Sequence, residues 1–188
     1  MYWTINLTKL SFLFKKICIA SDHAGYDLKE TIKNHLINKS VSIFDLGPYE
    51  KRSVDYPDFA KKLARRIKAK KSDIGILVCG SGTGMAITAN KIKDIRAAVC
   101  YNPKSTRLSR QHNNANIIAL GSRLTKKSLS LKLVELFIKT KFEGGRHLKR
   151  IKKISTSFKD RFFFVNLAPN AIILALLCCL DNLVDEGL

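Results

Sequence analysis

Ile74 to Val78 runs without polar interruption into Cys79, then into Gly80-Ser-Gly-Thr-Gly84, and an Ala-rich helical pattern follows to about Ile92. An apolar run of this kind is what a strand buried on both faces looks like, and such strands belong to parallel sheets. A parallel sheet needs crossover helices between its strands. The remaining sequence therefore has to supply both further strands and the helices that join them.

It does so in regular alternation. Lys16 to Ser21 reads as a first strand, and Tyr26 to Asn38 as a helix with Leu28, Ile32, Leu36 and Ile37 on its apolar side. Val41 to Leu46 is a second strand, broken by Gly47-Pro48. A helix opens at Asp55-Tyr-Pro-Asp and runs to about Ala69, with Phe59, Leu63 and Ile67 on one face. After the central strand and its helix come a strand at Ala97 to Cys100, a helix from Pro103 through His112, and a strand at Ile117 to Leu120. An amphipathic stretch from Leu124 to Ile138 follows, and a basic helix starts near Arg146 beyond Gly144-Gly145. The predicted fold is α/β: a three-layer αβα sandwich around a five-stranded parallel, Rossmann-like sheet, with a C-terminal helical extension.

Ligands of such sheets bind beyond the carboxyl ends of the strands. That rule gathers Asp22-His23 after the first strand, Cys79 to Gly84 after the third, and Tyr101-Asn102 after the fourth. Three alternating glycines leave backbone N–H groups uncovered at a helix N-terminus, which suits an anion or a developing oxyanion. The same environment favours the thiolate of a cysteine. Taken alone, however, a buried cysteine is more often an inert small hydrophobe. The loop also lacks the third glycine or alanine of a dinucleotide fingerprint and the lysine of a P-loop.

Lys and Arg number 34 against 15 acidic residues, a formal charge of +19. Anionic partners are implied, either nucleic acid or a phosphorylated metabolite. The basic residues are spread over several helical patterns, and no nucleic-acid-binding signature occurs among them, so nucleic acid is not the expected partner. Cysteines at 18, 79, 100, 178 and 179 form neither a zinc spacing nor an even disulfide framework, which points to a reducing cytoplasm. Met1 to Lys16 has no cleavable signal pattern, and the ten apolar residues Ala171 to Leu180 are too few to span a bilayer, so no transmembrane segment is predicted.

Seven short motifs occur in order: Ser21-Asp-His-Ala-Gly25, Ser53-Val-Asp-Tyr-Pro-Asp-Phe-Ala60, Cys79-Gly-Ser-Gly-Thr-Gly84, Ala89-Asn-Lys91, Ser109-Arg-Gln-His-Asn113, Gly121-Ser-Arg123 and Glu143-Gly-Gly-Arg-His147. Together they resemble ribose-5-phosphate isomerase type B, of the sugar-phosphate isomerase family that also includes the allose and galactose 6-phosphate isomerases. The resemblance covers about Lys16 to Lys153. It implies an aldose-ketose isomerase of the pentose phosphate pathway, interconverting ribose 5-phosphate and ribulose 5-phosphate through an enediolate with neither metal nor organic cofactor.

The resemblance also implies roles. Cys79 is the base; family members that use a glutamate carry it just after the glycine loop, where this chain has Met85. His112 assists ring opening. Gly80, Ser81, Gly82, Thr83 and Gly84 line the oxyanion side, and Asp22, Asn113 and Arg123 bind substrate. His23, Arg146 and Arg150 hold the phosphate, the two arginines lying four apart and so on one helix face. A homodimer or homotetramer with sites shared between subunits is implied as well.

Three regions follow from these boundaries: an N-terminal extension (1–14), the isomerase domain (15–154) and a C-terminal tail (155–188). The tail, with Phe162-Phe-Phe-Val165 and Ala171 to Leu180, has no counterpart in the family, and the wording of Pro48 to Arg52 also departs from it. Two competing readings remain. One is an allose or galactose 6-phosphate isomerase; the other, of a different class, is a basic α/β protein that binds RNA or an anionic surface and makes no chemical use of Cys79.

Overall fold

A computed structural model describes residues 16–155, and the expectations for the two terminal segments lie outside those residues. The chain divides into two compact units, Met1–Ile151 and Lys152–Leu188, and the core and candidate site below belong to the first.

Five strands, β1 (Ile17–Ser21), β2 (Ile43–Asp45), β3 (Ile74–Cys79), β4 (Ala97–Val99) and β5 (Ile117–Gly121), form one sheet in the order β2-β1-β3-β5-β4. Every neighbouring pair is parallel. Every residue of β1, β3 and β5 is buried, while the three-residue edge strands β2 and β4 are partly exposed. Short, half-covered edges limit unwanted pairing with other chains.

The strand period of two sorts the core into two layers. Ile17, Ile19, Ile74, Ile76, Val78, Ile118 and Leu120 point to one side. There they pack on Leu28, Ile32 and Leu36 of α1 (Tyr26–Ile37) and on Leu133, Val134, Phe137 and Ile138 of α5 (Lys127–Lys139). Cys18, Ala20, Leu77, Cys79, Ile117 and Ala119 point the other way. They meet Ala60, Leu63, Ala64 and Ile67 of α2 (Tyr56–Lys68) and Met85, Ala86 and Ala89 of α3 (Thr83–Asn90). Gly75 has a packing role, since a Cβ there would fall 2.4 Å from the Leu63 side chain. Each buried Leu or Ile contributes about 1.5–3 kcal/mol by leaving water. Two further helices, α4 (Pro103–Gln111) and α6 (Gly145–Ser155), complete the elements among the described residues.

Two local expectations need correction. Ile37 is 53% exposed and lies off the apolar stripe of α1, while Lys29 on that helix is fully buried. The Lys29 ammonium lies 3.0 and 2.9 Å from the two Asp45 carboxylate oxygens and donates to the Pro48 carbonyl at 2.8 Å. It also pairs with Glu30 at 2.9 Å and faces the rings of Tyr26 and Tyr49. A buried cation must be compensated in this way, and here the compensation fixes the loop that leaves β2. The second correction concerns α5, which begins at Lys127 and not at Leu124. The N–H groups of Leu124 and Thr125 both bond to the Gly121 carbonyl, closing a turn before the helix starts.

Candidate active site

The chain runs outward from β1 to β2 and then returns to the other side of β1 for β3, so the strand order reverses between β1 and β3. At such a switch point the loops leaving two neighbouring strands diverge and open a crevice. Asp22 and His23 leave β1 on one side of it, and Cys79 ends β3 on the other.

Cys79 is 5% exposed, and the backbone N–H of Gly82 donates to its Sγ at 3.0 Å. That bond is possible because Gly82 adopts φ +82°, a left-handed conformation that turns the chain into α3. One loop amide thus faces the thiol. The Thr83 N–H meets the Ser81 hydroxyl at 3.3 Å. Gly84 admits the Tyr56 ring, which a Cβ at that position would meet at 2.9 Å. Met85 is fully buried in the core, so no carboxylate takes the place of the thiol on this loop.

Three neighbouring loops are tied together at Ser122. Its hydroxyl lies 2.8 Å from the Ala24 carbonyl and 3.1 Å from that of Cys79, and its N–H donates to the Cys79 carbonyl at 2.8 Å. Next in the chain, Arg123 donates its N–H to the Gly80 carbonyl and lays its guanidinium over Gly80, 3.3 Å from where a Cβ would be. Asp22 is 7% exposed; its N–H bonds to the Val78 carbonyl, and its carboxylate accepts from the Gly25 N–H at 2.8 Å. His23 is exposed, with Nδ1 accepting from the Val54 N–H at 3.4 Å, which leaves Nε2 facing away from the loop. Asp22, His23, Cys79 to Gly84 and Arg123 therefore share one mouth of the sheet.

His112 and Asn113 do not. They follow α4, which returns from the carboxyl edge of the sheet to the amino edge, and the Asn113 carbonyl accepts from Arg96 just before β4. Ile117 pairs with Gly75, and Gly121 with Cys79, so the two edges are about 13 Å apart along the strands at ~3.3 Å per residue.

Around His112 a second group assembles. Its ring stacks on that of His147, with centroids 4.2 Å apart and planes 6° from parallel. Both Nε2 atoms lie 3.8 Å from Glu143 Oε2. Burial pushes the His147 imidazole below its ordinary range, and the adjoining charges of His112 and Arg146 act in the same direction. Arg146 and Arg150 project from the same helix and are exposed. Buried Arg110 braces this corner by donating to the Thr140 carbonyl at 3.3 Å and to Asn114 Oδ1 at 3.1 Å.

A family model described as ribose/galactose isomerase matches residues 17–154. The chain belongs to the ribose/galactose isomerase family. It is 41% identical over 141 residues to the ribose-5-phosphate isomerase B of Escherichia coli, covering 75% of this chain and 95% of that one. A crystal structure of a ribose 5-phosphate isomerase from Thermotoga maritima matches with TM-score 0.73 and 51% identity, over 74% of this chain and 97% of that one. The Mycoplasma genitalium ribose-5-phosphate isomerase B, solved with bound ribulose-5-phosphate, matches with TM-score 0.71 and 46% identity, over 73% and 92% of the two chains. For a ribose/galactose isomerase, Ser122, Glu143 and His147 are additions to the residues singled out from sequence. Each sits inside a motif already noticed there, Gly121-Ser-Arg123 or Glu143-Gly-Gly-Arg-His147, but each also has a partner distant in sequence, Cys79 for Ser122 and His112 for Glu143 and His147.

Proposed function

We propose that the protein interconverts ribose 5-phosphate and ribulose 5-phosphate, with Cys79 as the base that carries a proton between C2 and C1. The observation that supports this most directly is the Cys79 thiol at the mouth of the switch-point crevice, held by the Gly82 N–H at 3.0 Å. Once the sugar ring is open, the thiolate takes the C2 proton of the aldose. The C2–H electron pair becomes the C1–C2 double bond while the carbonyl oxygen on C1 takes up negative charge. Return of the proton to C1, with transfer of the hydroxyl proton from O2 to O1, gives the ketose. Loop amides between Gly80 and Gly84, with Ser81, Thr83 and the Arg123 guanidinium, lie where that charge develops.

Ring opening is assigned to His112, with Asn113 beside it and Arg146 and Arg150 on the phosphate together with His23. Since His112 and Cys79 occupy opposite edges of one chain, both act on a single sugar only when a second copy supplies the His112 edge to the Cys79 mouth. The working form is therefore at least a homodimer. Residues 15–154 carry the activity. Free thiols at Cys18, Cys79 and Cys100 are in keeping with a reducing cytoplasm. The test is a coupled assay on ribose 5-phosphate, run in parallel on allose and galactose 6-phosphates. Cys79→Ala is expected to lose about 10²–10⁴-fold in kcat while still binding sugar phosphate. Activity within a few-fold of wild type would remove Cys79 from the mechanism.

A further inference from the structure

Glu143 has no part in the chemistry just described, yet it stands between two imidazoles. One ring nitrogen from each of His112 and His147 and one carboxylate oxygen of Glu143 lie within 4.8 Å of one another. Backbone bonds set all three in place. The His112 N–H bonds to the Leu108 carbonyl, the Glu143 N–H to the Gln111 carbonyl, and the His147 N–H to the Gly144 carbonyl.

Two imidazoles and one carboxylate are the ligand set of several zinc centres, which leave a further position open to water or another ligand. We propose that His112, Glu143 and His147 form a binding site for a divalent transition metal such as zinc, and that filling it disables the isomerase by occupying the ring-opening histidine. The activity half of this rests on the role given to His112 above; the binding half does not.

The geometry requires a small adjustment. Ligand atoms around zinc at ~2.1 Å sit roughly 3.4 Å apart, so the 3.8 Å spacings to Glu143 have to close by about 0.4 Å and the stacked rings have to tilt apart. Glu143 has the freedom to move, being 48% exposed at its side chain and followed by Gly144 and Gly145, around which there is open space. His147, 6% exposed, is the fixed wall of the site. Arg146 and Arg150 add positive charge on the same helix, which opposes a cation and keeps the affinity moderate. A moderate site is one that free zinc fills and a chelator empties.

Cobalt(II) titrated into the full-length protein, with a non-thiol reductant, gives the decisive reading because its spectrum identifies the ligands. The expected result is one equivalent bound with visible d–d bands and no sulfur-to-cobalt charge-transfer band. Binding should be unchanged in Cys79→Ala and at least about tenfold weaker in both Glu143→Gln and His147→Asn. Glu143 is half exposed, so its variant folds even if the His147 variant does not. A sulfur-to-cobalt band lost in Cys79→Ala would place the metal on the thiol and overturn the proposal, as would unaltered affinity in Glu143→Gln. In the isomerase assay, zinc is expected to inhibit and excess chelator to restore full activity. Cobalt binding of the expected kind in a protein without isomerase activity would defeat the functional assignment and leave the metal site standing.

Discussion

The Gly82 N–H donates to the Cys79 Sγ at 3.0 Å, and the φ of +82° that aims it there also brings Gly82 against the next strand. A Cβ at Gly82 would lie 3.0 Å from the Leu120 carbonyl carbon. Gly82→Ala is therefore expected to strain the left-handed turn by ~1–3 kcal/mol and to displace the amide from the thiol. Loss of one bond to a charged group adds roughly a ten- to hundred-fold fall in kcat. Urea unfolding and the isomerase assay on the same sample read the two effects separately. Unchanged kcat in a destabilised variant would show that this amide serves the turn alone.

Arg146 and Arg150 are exposed and are proposed to contact the part of the substrate that does not react. Arg150→Ala is expected to lower kcat/KM by about ten- to hundred-fold, or ~1.5–3 kcal/mol, mostly through KM. Some loss in kcat accompanies it, because binding remote from the reaction also positions the reacting carbons. Wild-type efficiency in Arg150→Ala would return that residue to the solvated surface.

The Lys29 side chain is fully buried, and its charge is met by Asp45, Glu30 and the Pro48 carbonyl. Lys29→Met keeps the volume and removes the cation, leaving Asp45 with Lys33 at 2.9 Å as its remaining ionic partner. Breaking a buried pair from one side costs about 3–5 kcal/mol, and the surviving Lys33 contact places this case at the lower end. Equilibrium urea unfolding of the variant measures it. A cost below about 1 kcal/mol would mean that the buried pair contributes shape and little energy.

Glu135 on α5 bonds to His35 of α1 and to Lys39 just beyond that helix, and pairs with Lys139 one turn along α5 itself. Burial acts to raise its carboxyl, but the bonds from Lys39, His35 and Lys139 outweigh it and hold the group at about 2, below the usual 4.5. A depressed carboxylate contributes stability that is present above its unfolded value and is lost as pH falls through its folded one. The stability gap between wild type and Glu135→Gln is expected to be constant above about pH 5 and to shrink between about pH 4.5 and 2. Urea midpoints at pH 6 and pH 3 check the sign; an equal gap at both would detach Glu135 from the acid sensitivity of the fold.

The order and type of the elements were legible in the sequence because uninterrupted apolar strands and amphipathic helices alternate without ambiguity. The placing of Asp22, His23 and Cys79 to Gly84 at one mouth was legible for the same reason, since each follows a strand and a parallel sheet collects its strand ends, whereas Arg123 was named from the family resemblance alone. The separation of His112 from Cys79 was not. It depends on α4 running back down the sheet and on β5 inserting between β3 and β4, and strand order leaves no mark on periodicity. Lys29 was missed because a lysine on a helix ordinarily faces water, and the acidic partner that permits its burial lies on another strand. Glu143 and His147 carried a signal in their motif, but their meeting with His112 depends on how α4 and α6 end against each other.

The placement of Cys79 and His112 at opposite edges of one sheet has a genetic corollary. A chain damaged at Cys79 still offers a sound His112 edge, and a chain damaged at His112 still offers a sound Cys79 mouth. In the homodimer proposed above, two inactive products paired together would make one complete site between them and one that lacks both groups. Two different loss-of-function alleles can then sustain a cell that neither sustains alone, whereas two copies of the same allele cannot.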